Sequence, residues 1–413
     1  MLPTVPIIGQ GWFPLSEQAL AHHLVCVGAS GSGKTETLLR IAYGAAKVYG
    51  WQVLFLDAKG DRQTATRFVA AMLQGGKRRI KMFPAAFYGG WRGDANALLN
   101  RLIAIEDYSD AYYKGMAKLM LSLAINVPVG LPKNSRELLA RLRLDALTAA
   151  YKGLPEEAEV LQIRPRDAAG VYNRYRAFFG MIGSRLDGSF AFEDVDAAYL
   201  LLDGLALREE ASSLGRYLLE DFAHYVVARK QQGRRVLLLI DDFSALSMHT
   251  EAVNLFERIR SYGGAVVISS QSYAALGRTR QDAERILGAA ATLIVHRSSD
   301  PEPLVARAGM QQQVQANWQL FGRLSLPDGS VRVQETFLVP PEDVRRLLTG
   351  QAFVIGSGQA QKVSIAALGL HPQALVDAEA LVKQQEQAQA AVLVPAVLPP
   401  ISQKPKRGKP QQP

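Results

Sequence analysis

Short unbroken apolar runs alternate along the chain with longer stretches in which apolar residues recur at helical spacing. Leu24-Val25-Cys26-Val27, Trp51-Gln52-Val53-Leu54-Phe55-Leu56, Ala198-Tyr199-Leu200-Leu201-Leu202, Val236-Leu237-Leu238-Leu239-Ile240 and Gly264-Ala265-Val266-Val267-Ile268-Ser269-Ser270 all read as strands. The run Val236 to Ile240 has the length and apolarity of a strand buried on both faces. After the first run, Leu38, Leu39, Ile41 and Ala45 follow a helical period that Gly50 closes, and a second helix is expected near 210–231. Strand, helix, strand in succession predicts an α/β core with a mainly parallel sheet. Residues 108–190 interrupt it: Tyr112, Met116, Leu119 and Met120, then Leu138, Leu139, Leu142 and Leu144, repeat as helices do. The expected organisation is a core of 1–107 and 191–383 split by an all-helical insertion at 108–190. Residues 384–413, Gln-rich, then Pro- and Ala-rich, then Lys404, Lys406, Arg407 and Lys409, read as a flexible basic tail.

The chemistry gathers where the strands end. Gly28-Ala29-Ser30-Gly31-Ser32-Gly33-Lys34-Thr35 is a complete phosphate-binding P-loop, placed between a strand and a helix. Its glycines let backbone N–H groups turn toward an anion, Lys34 brings a positive charge to the outer phosphates, and Thr35 can place its hydroxyl on Mg²⁺. The nucleotide-binding set is Gly28, Ser30, Gly31, Ser32, Gly33, Lys34, Thr35 and Glu36. The second strand ends in Asp57-Ala58-Lys59-Gly60-Asp61, at the edge where ligands of a parallel sheet collect. The Val236 strand ends in Asp241-Asp242, which looks like a Walker B pair: Asp241 for the Mg²⁺ shell, Asp242 where the water-activating residue stands. Gln271 ends the next strand and reads either as a γ-phosphate sensor or as the cap of a turn.

Composition adds a little. A formal charge of +9 favours polyanionic partners, nucleic acid first and an anionic membrane surface second. Cys26 is the single cysteine and sits in an apolar strand, so it reads as core and excludes a disulfide within the chain. No stretch reaches the roughly 18 apolar residues of a membrane span, and the first residues lack a signal peptide's pattern, so the expected location is cytoplasmic. In Val171 to Phe179, cations interleave with aromatics as on a strand-binding surface. The spacing of Tyr172, Tyr175 and Phe179 favours core packing instead, leaving Arg164, Arg166, Arg174 and Arg176 as candidates for phosphate contact.

In this order the motifs resemble the FtsK-HerA superfamily of ring-shaped P-loop ATPases, and within it the TraG-like type IV coupling proteins, over most of residues 20–360. The resemblance takes in His23-Leu24-Val25 before the P-loop, Asp57 to Asp61, Trp91 to Leu98, Asp110 to Leu123, Asp241-Asp242-Phe243 and Ser270-Gln271-Ser272. It continues through His296 to Glu302 and Leu338 to Val344. It implies a RecA-like ATPase core, and a homo-hexamer that encircles DNA and hydrolyses ATP with Mg²⁺ between subunits to move DNA through the ring. It also implies Gln271 as sensor and an arginine acting in trans, with Arg297 the leading candidate and Arg280 and Arg260 behind it. Two departures stand out. The transmembrane anchor usual in conjugative members is missing from this sequence, so docking on a secretion channel would need a membrane-anchored partner. The usual Walker B glutamate is Asp242. A nucleotide-switched recruitment factor for DNA or a secretion substrate, with little hydrolysis, is the alternative function.

Overall fold

The computed structural model describes residues 15–393 apart from 109, 203, 230–234, 248–252, 254–255, 257–258, 320–327 and 357. Its frame is a nine-stranded sheet built from β1 (Leu24–Val27), β2 (Gln52–Asp57), β3 (Ile80–Phe83), β4 (Ala197–Leu201), β5 (Val236–Asp241), β6 (Gly264–Ser270), β7 (Thr292–His296), β10 (Gln351–Gly356) and β11 (Gln359–Ser364). The order is β11-β10-β7-β1-β6-β5-β2-β4-β3. All neighbours from β7 to β3 run parallel, whereas β10 and β11 are antiparallel additions. A separate antiparallel ribbon pairs β8 (Met310–Gln319) with β9 (Asp328–Phe337).

Alternate strand residues enter two different cores, which is why the central strands read as continuous apolar runs. Cys26, Val53, Phe55, Leu237, Leu239 and Val267 pack with the helices Lys34–Lys47, Arg62–Gln74 and Pro372–Leu393. Val25, Leu54, Leu56, Leu238, Ile240, Val266 and Ile268 pack on the other face with the helices Ala95–Ala104 and Gly204–Arg229 and the helical region beyond. Cys26 is fully buried, and burial pushes its thiol up to about 12, so it stays a protonated, inert core side chain.

Between β3 and β4 the regular elements are helices: Ala95–Ala104, Ala111–Ile125, Ser135–Arg141, Leu144–Ala150, Glu157–Gln162 and Pro165–Ile182, with a 3₁₀ turn at Phe192–Asp194. The first begins ahead of residue 108, where the Asp94 carboxylate accepts from Ala97 N at 2.8 Å and caps it. Helix Pro165–Ile182 buries Val171, Tyr175, Phe178, Phe179 and Ile182, as core spacing requires, and leaves Arg174 and Arg176 exposed.

Residues 384–393 depart from the tail reading because the helix Pro372–Leu393 runs through them. The reason is a buried amide: Gln385 Oε1 accepts from Met82 N at 2.9 Å while its Nε2 donates to Ile80 O at 3.0 Å. Edge strand β3 thus has two of its open backbone groups satisfied by a side chain. The rest of the expected tail, 394–413, lies outside the described residues.

Candidate nucleotide site

The P-loop leaves β1 and wraps the first turn of the helix Lys34–Lys47. Gly31 and Gly33 have φ of 71° and 109°, a region that a side chain makes costly. Gly28 is closed on another ground, since a Cβ there would lie 2.5 Å from His296 Cβ. The loop is held from three directions: Gly28 N donates to Ser270 O (3.1 Å), Ala29 N to Arg297 O (2.7 Å) and Gly350 N to Ser32 O (2.9 Å). Lys34 Nζ donates to the carbonyls of Gly28 (2.7 Å) and Ala29 (3.0 Å). Gly33 offers no side-chain cap, so the first N–H groups of the helix remain open to an anion. The Ser32 hydroxyl is buried with no partner among the described residues, a further donor for a phosphate oxygen.

Register brings the acidic groups to the same edge, with Asp57 opposite Asp241 and Ile240 opposite Ile268. Asp241 Oδ2 accepts from Thr35 Oγ1 at 2.9 Å, and Oδ1 accepts from Ser269 Oγ and, at 3.1 Å, from Asp242 N. Burial pushes the Asp241 carboxyl above the usual carboxylate range, while the Ser269 and Thr35 hydroxyls draw it back. The hydroxyl and carboxylate, both hard oxygen donors, meet at one point beside the phosphate loop, and this fits Mg²⁺. Asp242 Oδ2 accepts from Gln271 Nε2 at 3.0 Å and Oδ1 accepts from Ser244 Oγ. Ser30, Gly31, Gly33, Lys34, Thr35, Glu36, Lys59, Asp241, Asp242 and Gln271 together line one cleft of about 250 Å³.

Other residues take different parts. Asp57 is 1% exposed and accepts from Lys59 N, Gly60 N, Asp61 N and the Tyr199 hydroxyl, so its carboxylate builds the turn that carries Lys59 to the cleft. Glu36 lines the cleft with its carboxylate committed to Arg67 (2.6 Å) and Leu368 N. Arg297 is exposed and forms no ion pair among the described residues, whereas Arg280 pairs with Glu284 at 2.9 Å; the Arg260 side chain lies outside what the structure describes. Sequence reading passed over Ser269, Ser244 and the Thr349-Gly350 brace. Only Ser269 had a local signal, a hydroxyl on the strand beside Asp241.

His296, which the sequence placed only at the start of a late motif and gave no role, stands behind the loop. Its Nδ1 donates to Gln351 O (3.0 Å), which leaves Nε2 to accept from Thr37 Oγ1 (2.9 Å). Burial lowers its pKa to about 4 from an ordinary 6.5, with Lys34 adding to the effect. Between those values the unfolded chain binds a proton that the folded chain refuses, so stability falls as pH drops from about 6.5 to 4, by on the order of 3 kcal/mol from this group. Chemical denaturation across that range should show the slope, and His296→Gln should flatten it; an unaltered slope in the variant would remove His296 as its source.

A larger cleft of about 970 Å³ opens at the opposite, amino-terminal edge, beside Gln52, Arg79, Asp196 and Arg235. Its cations are met by acids, as in Arg79–Asp196 (2.9 Å) and Arg92–Asp194 (2.6 Å). The P-loop, the metal-type donors and the uncapped helix are all at the smaller cleft, and that is where phosphate chemistry belongs.

Fold and site together define a RecA-like P-loop nucleotide-binding core. The family model for the type IV secretion-system coupling protein DNA-binding domain matches residues 220–310, the segment holding β5, β6, Asp241, Asp242 and Gln271. No curated protein matches the chain. Among solved structures, the unbound bacterial conjugative coupling protein TrwBdeltaN70 is similar at 17% identity and TM-score 0.66, over 89% of each chain. TrwB in complex with ADP and Mg²⁺ is similar at 17% identity and TM-score 0.65, over 90% of this chain and 91% of that one. VirB4 of Thermoanaerobacter pseudethanolicus follows at 12% and 0.56, over 86% and 90%. The coupling-protein domain match is confined to residues 220–310, and over most of its length the chain shares the fold of these P-loop proteins. No helix among the described residues is long and apolar enough to cross a membrane.

Proposed function

We propose that the chain is an ATP-hydrolysing, ring-shaped DNA translocase that moves DNA through a central pore, with conjugative transfer as its setting. The observation that carries the proposal is the meeting of Lys34, Thr35, Asp241, Asp242 and Gln271 in one cleft of a coupling-protein fold. Lys34 and the open first turn of its helix hold the phosphates of ATP. Thr35 and Asp241 would hold Mg²⁺, which neutralises charge on the β- and γ-phosphate oxygens. Asp242 orients the attacking water, and Gln271, hydrogen-bonded to Asp242, couples the γ-phosphate to the end of β6. Arg297, exposed beside the P-loop strand, reaches the nucleotide of the next subunit in a homo-hexamer and stabilises the charge that develops during transfer. The helical residues 108–190 form a domain inserted into this core. The protein works at the cytoplasmic side of a membrane-anchored or secretion-channel partner.

Displacement of a third strand from triplex DNA tests translocation. The expected result is displacement that requires ATP and Mg²⁺ and occurs with the protein at the mass of an oligomer. DNA-bound protein that hydrolyses ATP but never displaces the strand would leave an ATPase that is not a motor. Binding without turnover would favour the recruitment factor, for which the capture of both Asp242 oxygens by Ser244 and Gln271 supplies a structural basis.

A further inference from the structure

We propose that the helical region carries a stacking site for single-stranded nucleic acid, formed by Tyr112, Tyr113 and Arg174 and distinct from the nucleotide cleft; it rests on the DNA reading above. Tyr112 and Tyr113 occupy the first turn of the helix Ala111–Ile125 and are 52% and 48% exposed, while Ala117, Met120, Leu121 and Ala124 further along the helix are buried. One exposed aromatic is ordinary; two neighbours sharing a cation are a surface with a recognisable chemistry. The rings meet edge to face at 5.6 Å. The Arg174 guanidinium, from the helix Pro165–Ile182, lies 5.7 Å from the centre of the Tyr113 ring and 5.7 Å from that of Tyr108.

Electrostatics select the occupant. Two nearby carboxylates fix the first tyrosine in place: Asp110 accepts from Tyr112 N at 2.7 Å and Asp167 accepts from the Tyr112 hydroxyl at 2.9 Å. Arg174 is exposed and pairs with no carboxylate among the described residues, and Arg164 lies near enough for its charge to act on Tyr112. Fixed aromatic faces beside Arg174, an exposed cation in no ion pair among the described residues, suit unstacked bases joined by phosphates. A duplex hides its base faces in the stack and offers this surface only its backbone. The Tyr112 ring is already oriented by its hydrogen bond, so little side-chain entropy is lost on stacking. The aromatics that interleave with arginine in the sequence, Tyr175 and Phe179, turn inward, and the folded chain instead supplies Tyr113 from another helix to Arg174.

Anisotropy of a labelled oligothymidylate and of a duplex of equal length, bound to the full chain, tests the proposal. Replacing both rings (Tyr112→Ala with Tyr113→Ala) should weaken single-strand binding about tenfold or more and leave duplex binding near wild type. The paired Phe substitutions should retain most of the affinity, and Arg174→Gln should lower it with a shallower salt dependence. DNA-free ATP turnover equal to wild type in each variant certifies the fold. Single-strand binding unchanged in the alanine pair would overturn the stacking site while the DNA reading stands, and such a surface would then be assigned to a protein partner. A wild-type chain that binds neither oligonucleotide would overturn both.

Discussion

Replacing Asp242 by Asn abolishes turnover, with a rate loss of at least about a hundredfold, and leaves ATP affinity within a few-fold of wild type. The expectation follows from position. In the proposed mechanism Asp241, bonded to Thr35, would hold the metal, while Asp242, bonded to Gln271, would act on the water, so its charge would not be needed to hold the phosphates. The substitution is chosen for its backbone, because Asp242 has φ of 57°, and among residues with side chains Asn and Asp enter that region most readily. Alanine would mix lost chemistry with strain, whereas Asn keeps the turn, the size and a hydrogen-bonding partner for Ser244. The same φ gives a physical reason for the departure from glutamate at this position, since a longer side chain without local hydrogen bonds is less at ease there. Measured kcat and nucleotide Kd check both halves of the prediction; unchanged kcat removes Asp242 from the mechanism.

The largest stability loss is expected from Arg101→Met, at about 3–5 kcal/mol. Arg101 is 1% exposed, donates to Asp221 Oδ1 at 2.7 Å and to the carbonyls of Ala97 and Arg92, and lies against the Tyr217 ring. Tyr88, just after β3, donates to the other Asp221 oxygen. Burial already pushes the Asp221 carboxyl upward, and Arg101 is the charge that holds it back. Without the cation, a largely buried carboxylate between the helices Ala95–Ala104 and Gly204–Arg229 is left with one phenol. Denaturation of Arg101→Met should show the loss, and adding Asp221→Asn should recover part of it, as a shared node requires. A loss below about 1 kcal/mol would mean that the pair is solvated and not a fastener of the helical region.

What the sequence disclosed follows from the range of the interactions involved. The P-loop and the run Val236 to Ile240 declare themselves locally, by glycines at strained positions and by a strand that both cores cover. Cys26 as core and the inward turn of Tyr175 and Phe179 were legible for the same reason. The brace of Thr349 and Gly350 on the P-loop, at 3.2 and 2.9 Å, joins positions more than three hundred residues apart and has no local trace. Gln-rich β8 shows little strand propensity, and β10 and β11 depend on pairing to β7 and to each other. Composition placed 384–393 in a tail because a glutamine's value to an edge strand appears only once β3 lies beside it.

Steady-state ATP turnover with no DNA, with single-stranded DNA and with double-stranded DNA, run beside Lys34→Ala, tests the central claim most directly. The account predicts turnover that DNA strongly stimulates and that falls to background in the variant, because it assigns the phosphates to Lys34 in the cleft shared with Asp241 and Gln271. ATP bound without appreciable turnover under any DNA condition, or a Lys34→Ala rate equal to wild type, would contradict it.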